Sequence, residues 1–235
     1  MMFGLFGNRR KRSPGIDEKT PLNKARYVVL DTELTGLDEK RDSIVSIGAV
    51  RIAEGRIGLG DVFYRLVSPK TALHADSVVI HEITPSEVAT EPAIDAVLAD
   101  FLEYCGTDIL VGHFISIDLS FLNREMKRMY GRKLANEAID TFSIYKWLRK
   151  RRSSRHCFET PLAGCRLHDM VKCFGIPVSG GHNALMDAFA AAQLLQRFFP
   201  ALVEAGARDV GELLKIGIPF EGGDGFELTG EFINF

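Results

Sequence analysis

Two carboxylates close a short apolar run. Residues 28–36 read VVLDTELTG, with Asp31 and Glu33 following Val28, Val29 and Leu30. A run of this kind reads as a buried β-strand, and residues two apart on a strand face the same way. Asp31 and Glu33 therefore offer oxygens on one side, Thr32 lies opposite, and Gly36 turns the chain. Two like charges ~4 Å apart repel by roughly 4 kcal/mol at an effective dielectric near ~20. A pair so placed needs a cation. Hard divalent ions such as Mg²⁺ or Mn²⁺ take carboxylate oxygen, whereas zinc favours thiolate and imidazole.

Two later stretches could bring further acids to the same point. In GHFISIDLSFL (112–122), Asp118 falls where a strand ends and a helix begins. In GGHNALMDAFAAAQLL (180–195), paired glycines precede His182, and Asn183 suits an N-cap. Asp187 then lies in the first helical turn, where the helix dipole favours an ionised carboxylate. Leu185, Ala188, Phe189, Ala192 and Leu195 form that helix's buried stripe and leave Asp187 on another face. Each piece alone has a plain structural reading: a cap, a hydrogen-bonded imidazole, a solvated loop. Placed together at the ends of elements in an α/β sheet, where ligands bind, they favour one site.

The elements that must position them follow from pattern. Apolar runs at 26–33, 44–52 and 62–67, separated by turn residues and ended by Pro69, predict an antiparallel three-strand meander. Thr84-Pro85-Ser86-Glu87 is a capping-box pattern, so a short helix begins there. Ile94, Val97, Leu98, Phe101 and Leu102 keep helical spacing. ILVGH (109–113) is a short strand, parallel to the first because a helix intervenes. A helix over 118–130 stops at Gly131, and 138–141 forms a fifth short strand. A basic helical stretch, a loop at 153–164, a helix around 166–174, a strong helix at 184–199 and a short helix within 200–218 complete the chain. The expected fold is α/β, a mixed five-stranded sheet (the antiparallel meander plus parallel strands) flanked by helices. The expected division is a basic leader at 1–24, one domain at 25–200, and a short helix with an acidic, Phe-containing tail at 201–235.

Composition narrows the partners. A chain of 235 residues, 46% hydrophobic and 26% charged, suits one sizeable α/β domain with tails. Net charge is −2, so any nucleic-acid surface is a local patch. The run 146–155 is one such patch, with Lys146, Arg149, Lys150, Arg151, Arg152 and Arg155. It reads either as a solvated helix end or as a phosphate-contact face, with Arg149 and Arg151 as the candidate contacts. Trp147 within it is either core or a stacking platform for a base. The four cysteines show no disulfide pattern, and with His156 and His168 they lack the Cys-x-x-Cys pair of a zinc site. The apolar run in MMFGLFGNRRKR is too short for a signal sequence or a membrane span, and no other segment approaches membrane length. A cytoplasmic, non-membrane protein with reduced thiols is expected. The leader reads as a solvated arm, with a nucleic-acid or partner arm as the alternative. The last stretch carries Glu221, Asp224, Glu227 and Glu231 among four phenylalanines, without Lys or Arg. It is either a loosely packed tail or a hook for a partner protein.

The motif order resembles a known family. Asp31-Thr32-Glu33-Leu34-Thr35-Gly36, then Gly112-His113 leading to Asp118, then His182-Asn183-Ala184-Leu185-Met186-Asp187, are similar to the DEDDh branch of the 3′→5′ exonucleases. That branch includes the proofreading epsilon subunit of bacterial DNA polymerase III and has a ribonuclease H-like fold. The resemblance spans about residues 26–198. It implies that Asp31, Glu33, Asp118 and Asp187 bind two divalent metal ions and that His182 is the general base. It also implies that Thr32 and Leu34 neighbour the terminal nucleotide. His81-Glu82-Ile83-Thr84 resembles a His-Gly-Ile-Thr segment frequent in these enzymes, with Glu82 in place of Gly, and marks His81 as a substrate contact. Asp140-Thr141 matches a recurrent Asp-Thr. The second motif usually reads His-Asn-x-x-Phe-Asp, whereas here Phe114 stands at the Asn position and cannot make its hydrogen bonds. The implied activity is removal of nucleoside monophosphates from a single-stranded or frayed 3′ end, of DNA in the first instance, with a DNA polymerase as a possible partner. An exoribonuclease of the same branch is the alternative, and tolerance of a 2′-hydroxyl near Leu34 and Phe114 separates the two. A nucleic-acid-binding, polymerase-accessory module is the alternative from another class.

Overall fold

The computed structural model describes residues 16–151, 158, 164, 166–177 and 182–220. The strands are β1 (Tyr27–Leu34), β2 (Ile44–Ala53), β3 (Arg56–Leu66), β4 (Ile109–Gly112) and β5 (Ala138–Asp140). The helices are α1 (Ala75–His81), α2 (Pro85–Val88), α3 (Ile94–Cys105), α4 (Ser116–Tyr130), α5 (Thr141–Lys150), α6 (Leu167–Cys173), α7 (Ala184–Glu204) and α8 (Val210–Ile216). The strands form one sheet in the order β3-β2-β1-β4-β5. β1 pairs antiparallel with β2 and parallel with β4, and β4 pairs parallel with β5. This is the mixed five-stranded sheet expected from the pattern.

β1 is central, so both its faces are covered. Tyr27 and Val29 point into a core shared with α5, α7 and α8, while Val28, Leu30 and Leu34 point into one shared with α3 and α4. A continuous apolar run is what a strand buried on both faces requires. α7 lies antiparallel to β1. Its N-terminal end sits over β2 at Gly48, and Phe199 near its other end meets Tyr27, ring centroids 5.7 Å apart.

Two expectations need correction, and one helix was not expected. The third strand begins at Arg56 rather than 62, because Glu54 and Gly55, both at positive φ (53° and 69°), form a two-residue hairpin turn. Its first half lies on the sheet edge and is mostly exposed, so no apolar run announces it. α1 carried no periodic signal; it is one short helix that buries Ser77 and His81. The helix expected to stop at 199 continues to Glu204 through Pro200, since Phe198, Phe199, Ala201 and Leu202 are all buried and packing outweighs the lost backbone donor. Residues on either side of 25–200 pack on the same core. Leu22 is buried, its N–H donates to Arg208 O at 3.3 Å, and Gly211 N–H donates to Glu18 O at 2.8 Å. Val210, Leu213 and Leu214 of α8 join the same core. The leader before residue 16, most of the loop at 153–164 and the tail at 221–235 lie outside the described residues. Among the described residues no helix is long and apolar enough to cross a membrane.

One glycine sets the spacing that matters most. Gly48 is paired across the sheet with Asp31, and a Cβ there would overlap the backbone of Ala184 and Leu185. Backbone cannot move aside as a flexible side chain can. Gly48→Ala is therefore expected to cost roughly 1–3 kcal/mol, the range for overpacking, measured as a lowered denaturant midpoint. Gly60→Ala, where a Cβ meets nothing within 4 Å, should leave the midpoint unchanged or raised. Equal effects of the two would refute the packing argument.

Candidate active site

Three carboxylates meet at the end of β1. Asp31, Glu33 and Asp187 offer ligand oxygens that all lie within 4.8 Å of one another. Strand alternation places the first two on the face that α7 covers, and α7 delivers Asp187 from its first turn. Asp118 arrives separately, in the first turn of α4, and accepts a hydrogen bond from the Thr32 hydroxyl at 2.6 Å. Thr32 points to the opposite face of β1, so it reaches α4 and holds Asp118 beside the strand. The Asp118 charge still acts on Asp31 more strongly than those of Asp187 and Glu33.

The electrostatics are unfavourable for four anions. Burial first, then Asp118, Asp187 and Glu33, push Asp31 well above the ordinary carboxylate range. Glu33 is raised to about 8 by burial, then by Asp187 and Asp118. Burial raises Asp118 to about 7 against the Thr32 hydroxyl, and Asp187 to about 6 against the backbone donor at Asn183 and the nearby His168. Among the described residues no Lys or Arg forms an ion pair with any of the four. Glu33 Oε1 is buried and has no hydrogen-bond partner among them. Clustered hard oxygens, an orphaned carboxylate oxygen and unpaired negative charge fit a divalent cation.

The entrance to α7 is capped as its sequence suggests. Asn183 Oδ1 accepts from the N–H groups of Leu185 (3.1 Å) and Met186 (3.3 Å). Its amide nitrogen donates to the Tyr64 hydroxyl at 3.4 Å. Tyr64 was not anticipated. On β3 it pairs with Gly48 of β2, in one row with Asp31, and Glu33 adds to burial in raising its phenol pKa. Counting back from the Glu54-Gly55 turn would pair Gly48 with Asp61; an irregularity between Val50 and Ile52 brings Tyr64 there instead, and no sequence pattern discloses it. His182 precedes the cap and is exposed. Partial desolvation, then His168 and Arg166, lower its pKa, so the imidazole is neutral at neutral pH.

The other candidates are either buried or exposed at the end of α5. Leu34 is 1% exposed, in the core beneath α3 and α4. His81 is buried; its Nδ1 accepts from Ile83 N–H at 3.0 Å, and its Nε2 has no partner among the described residues. His182 is close enough to disfavour a charge on it. Phe114 is 5% exposed, with its ring 4.7 Å from Phe142. Asparagine at that position would present a polar group; here the ring completes a core, so no exposed ring is offered to a nucleotide. Arg149 and Arg151 are exposed at the end of α5, with the Arg151 guanidinium 4.1 Å over the Trp147 ring. Trp147 is itself packed partly against the core. Of the basic run, 152–155 lies outside the described residues.

Asp140 has a structural use that spacing alone did not disclose. One oxygen accepts from Phe142 N–H (2.7 Å) and Ser143 N–H (3.3 Å), capping α5, and the other accepts from Ile115 N–H (3.0 Å). It thereby ties α5 to the turn that begins α4.

The raised pKa values have a sign. The folded cluster holds protons more tightly than the unfolded chain, so stability falls as pH climbs from the ordinary carboxylate range through about 6 to 8. Without divalent metal at pH 8, Asp187→Asn should raise Tm by several degrees; at pH 4 it should change little. Mg²⁺ should raise the Tm of the parent and not of the variant. A variant less stable than the parent at pH 8 would contradict this account.

Comparison with known proteins came to the same region. The family profile described as Exonuclease (RNase_T) matches residues 28–195. A DNA polymerase III subunit epsilon-like protein of Rhodobacter capsulatus is 37% identical over 199 residues, covering 83% of this chain and 27% of that protein. The DNA polymerase III subunit epsilon of Aquifex aeolicus is 30% identical over 176 residues, covering 75% of this chain and 81% of that one. The chain thus spans about a quarter of the first relative's length. Exonuclease X in complex with 5′ overhanging duplex DNA superposes with a TM-score of 0.60 at 24% identity, covering 81% of this chain and 98% of that chain. E. coli Exonuclease I in complex with a dT13 oligonucleotide gives 0.63 at 17% identity, covering 77% of this chain and 42% of that one. At such identities the structural likeness establishes the fold.

Proposed function

The chain belongs to the Exonuclease family, and on that footing we propose that it is a metal-dependent 3′→5′ exonuclease releasing nucleoside 5′-monophosphates. The observation that carries the reading is the meeting of Asp31, Glu33 and Asp187 within 4.8 Å, with no cationic side chain paired to them among the described residues. These three residues would hold one divalent ion, and Asp31 with Asp118 would serve a second. Mg²⁺ or Mn²⁺, when bound, would make water acidic enough to attack and would offset charge on the phosphate and the leaving 3′ oxygen. The chain's own groups do the rest. Thr32 fixes the direction of Asp118 through its hydroxyl. Asn183 fixes the start of α7 and hence Asp187. His182, with a lowered pKa, takes the proton of the attacking water on an imidazole nitrogen.

DNA is the favoured substrate, because relatives carry the names of DNA polymerase III subunits. A single-stranded or frayed 3′ end suits a site built at the end of a strand, and a polymerase is the partner those names suggest. Thr32, Leu34, His81 and Phe114, all buried, would shape the floor beneath the terminal nucleotide rather than touch it with exposed side chains. Arg149 and Arg151 would contact phosphate farther along the strand. A cytoplasmic setting accords with this use. The catalytic unit would include, besides 25–200, the flanking segments around Leu22 and α8 that share its core.

Oligonucleotides of DNA and RNA labelled at either end, with Mg²⁺, Mn²⁺ or EDTA, test the proposal. The expected result is stepwise loss from the 3′ end of DNA, abolished by chelation. Asp31→Asn should slow it at least ~10²-fold, since several kcal/mol of charge stabilisation goes with the ions. Endonucleolytic products, or turnover indifferent to EDTA, would remove it. The rate should rise with pH through a limb below ~6.5, the unperturbed imidazole value, and then level off. His182→Gln should lose that limb together with most of kcat; retention of the limb would assign it elsewhere.

A further inference from the structure

Phe114 occupies a backbone conformation that favours Gly or Asn. Its φ is +56°, in the left-handed region where a Cβ crowds the backbone. It lies in the turn between β4 and α4, four residues before Asp118. The neighbouring His113 ring lies 4.6 Å from it, and two rings from elsewhere in the chain close on it. Phe142 stands 4.7 Å and Phe220 6.0 Å away, and those two meet edge-on at 5.4 Å. The Lys146 ammonium lies 4.8 Å from the centre of the Phe220 ring, on the cation-attracting face of its π-system.

The backbone of Phe220 is tied to the same turn. The Ser116 hydroxyl donates to Phe220 O at 2.5 Å. The Phe220 N–H reaches the Asp140 carboxylate, which also receives Ile115 N–H. Residues 114, 115 and 116 are therefore linked to residue 220 by a ring, a shared carboxylate and a hydroxyl. Those contacts reach across 104 positions of chain to the start of the helix that carries Asp118.

We infer that Phe220 is a positioning residue for Asp118. It clamps the left-handed Phe114 turn and so fixes the first turn of α4 and the direction of the Asp118 carboxylate. The inference rests on the metal-dependent reading above. A chain with asparagine at 114 adopts positive φ readily and needs no such clamp. Phe220→Leu keeps bulk and removes the ring. Phe199→Leu, which loses a ring at the far end of α7, serves as the matched control.

The measurements are Mn²⁺ binding, from the EPR signal of the free ion, and hydrolysis of a thymidine monophosphate aryl ester, both well below Tm. Phe220→Leu should weaken Mn²⁺ binding at least fivefold and lower kcat with little change in KM. Phe114→Asn in the same chain should restore both. Phe199→Leu should lower Tm and leave metal binding and kcat unchanged. Unchanged Mn²⁺ binding in Phe220→Leu, an equal loss in Phe199→Leu, or failure of Phe114→Asn to restore would each overturn the clamp. A parent protein with no metal-dependent hydrolysis would instead sink the functional reading, so the two failures are distinguishable.

Discussion

Four carboxylates, Glu33 and Asp118 buried and Asp31 and Asp187 half-buried, are held where desolvation and mutual repulsion both oppose their charge. Left to local preference, such groups would turn toward water. They remain together because each is mounted on an element that cannot yield without breaking a packed core. β1 is paired on both sides along the run that ends in Asp31 and Glu33. α7 rests backbone to backbone on Gly48. α4 begins in a turn that Asp140 grips through its backbone. The rigidity of the sheet and its two helices maintains an arrangement that is costly without a cation.

The acids are positioned by different physical means. Alternation along a strand suffices for Asp31 and Glu33. Asp187 depends on a helix start, where Asn183 satisfies otherwise unpaired N–H groups and the dipole favours negative charge. Asp118 depends on a strained turn and on a hydroxyl from the opposite face of β1. That turn is the least local of these devices, because its partners come from α5 and from the segment after α8. Strain of this kind persists where the surroundings over-determine it, and such places cluster at functional sites.

Much of the fold was legible because burial and periodicity coincide. The first two strands, the helix over 94–105 and the first turn of α7 all carry a regular apolar pattern. Legibility failed where they part company. The first half of β3 is an exposed edge and α1 is a single short helix, so neither shows a pattern. Pro200 signals a stop that core packing overrides. The segment at 16–24 looks like a solvated leader, yet Leu22 and the backbone around it close one end of the core.

By itself the sequence determined which residues are able to do chemistry and on which face of their own element they lie. Side-chain alternation, capping preference and motif order are local properties, so Asp31, Glu33, Asp118, His182 and Asp187 could be named without coordinates. Only the tertiary structure decided which of them converge. Three oxygens meet while Asp118 stands behind Thr32, Tyr64 joins through sheet register, and Phe114 is drawn into a core with Phe142 and Phe220. Register, helix seating and ring packing depend on contacts between residues far apart in the chain, and no local pattern encodes those.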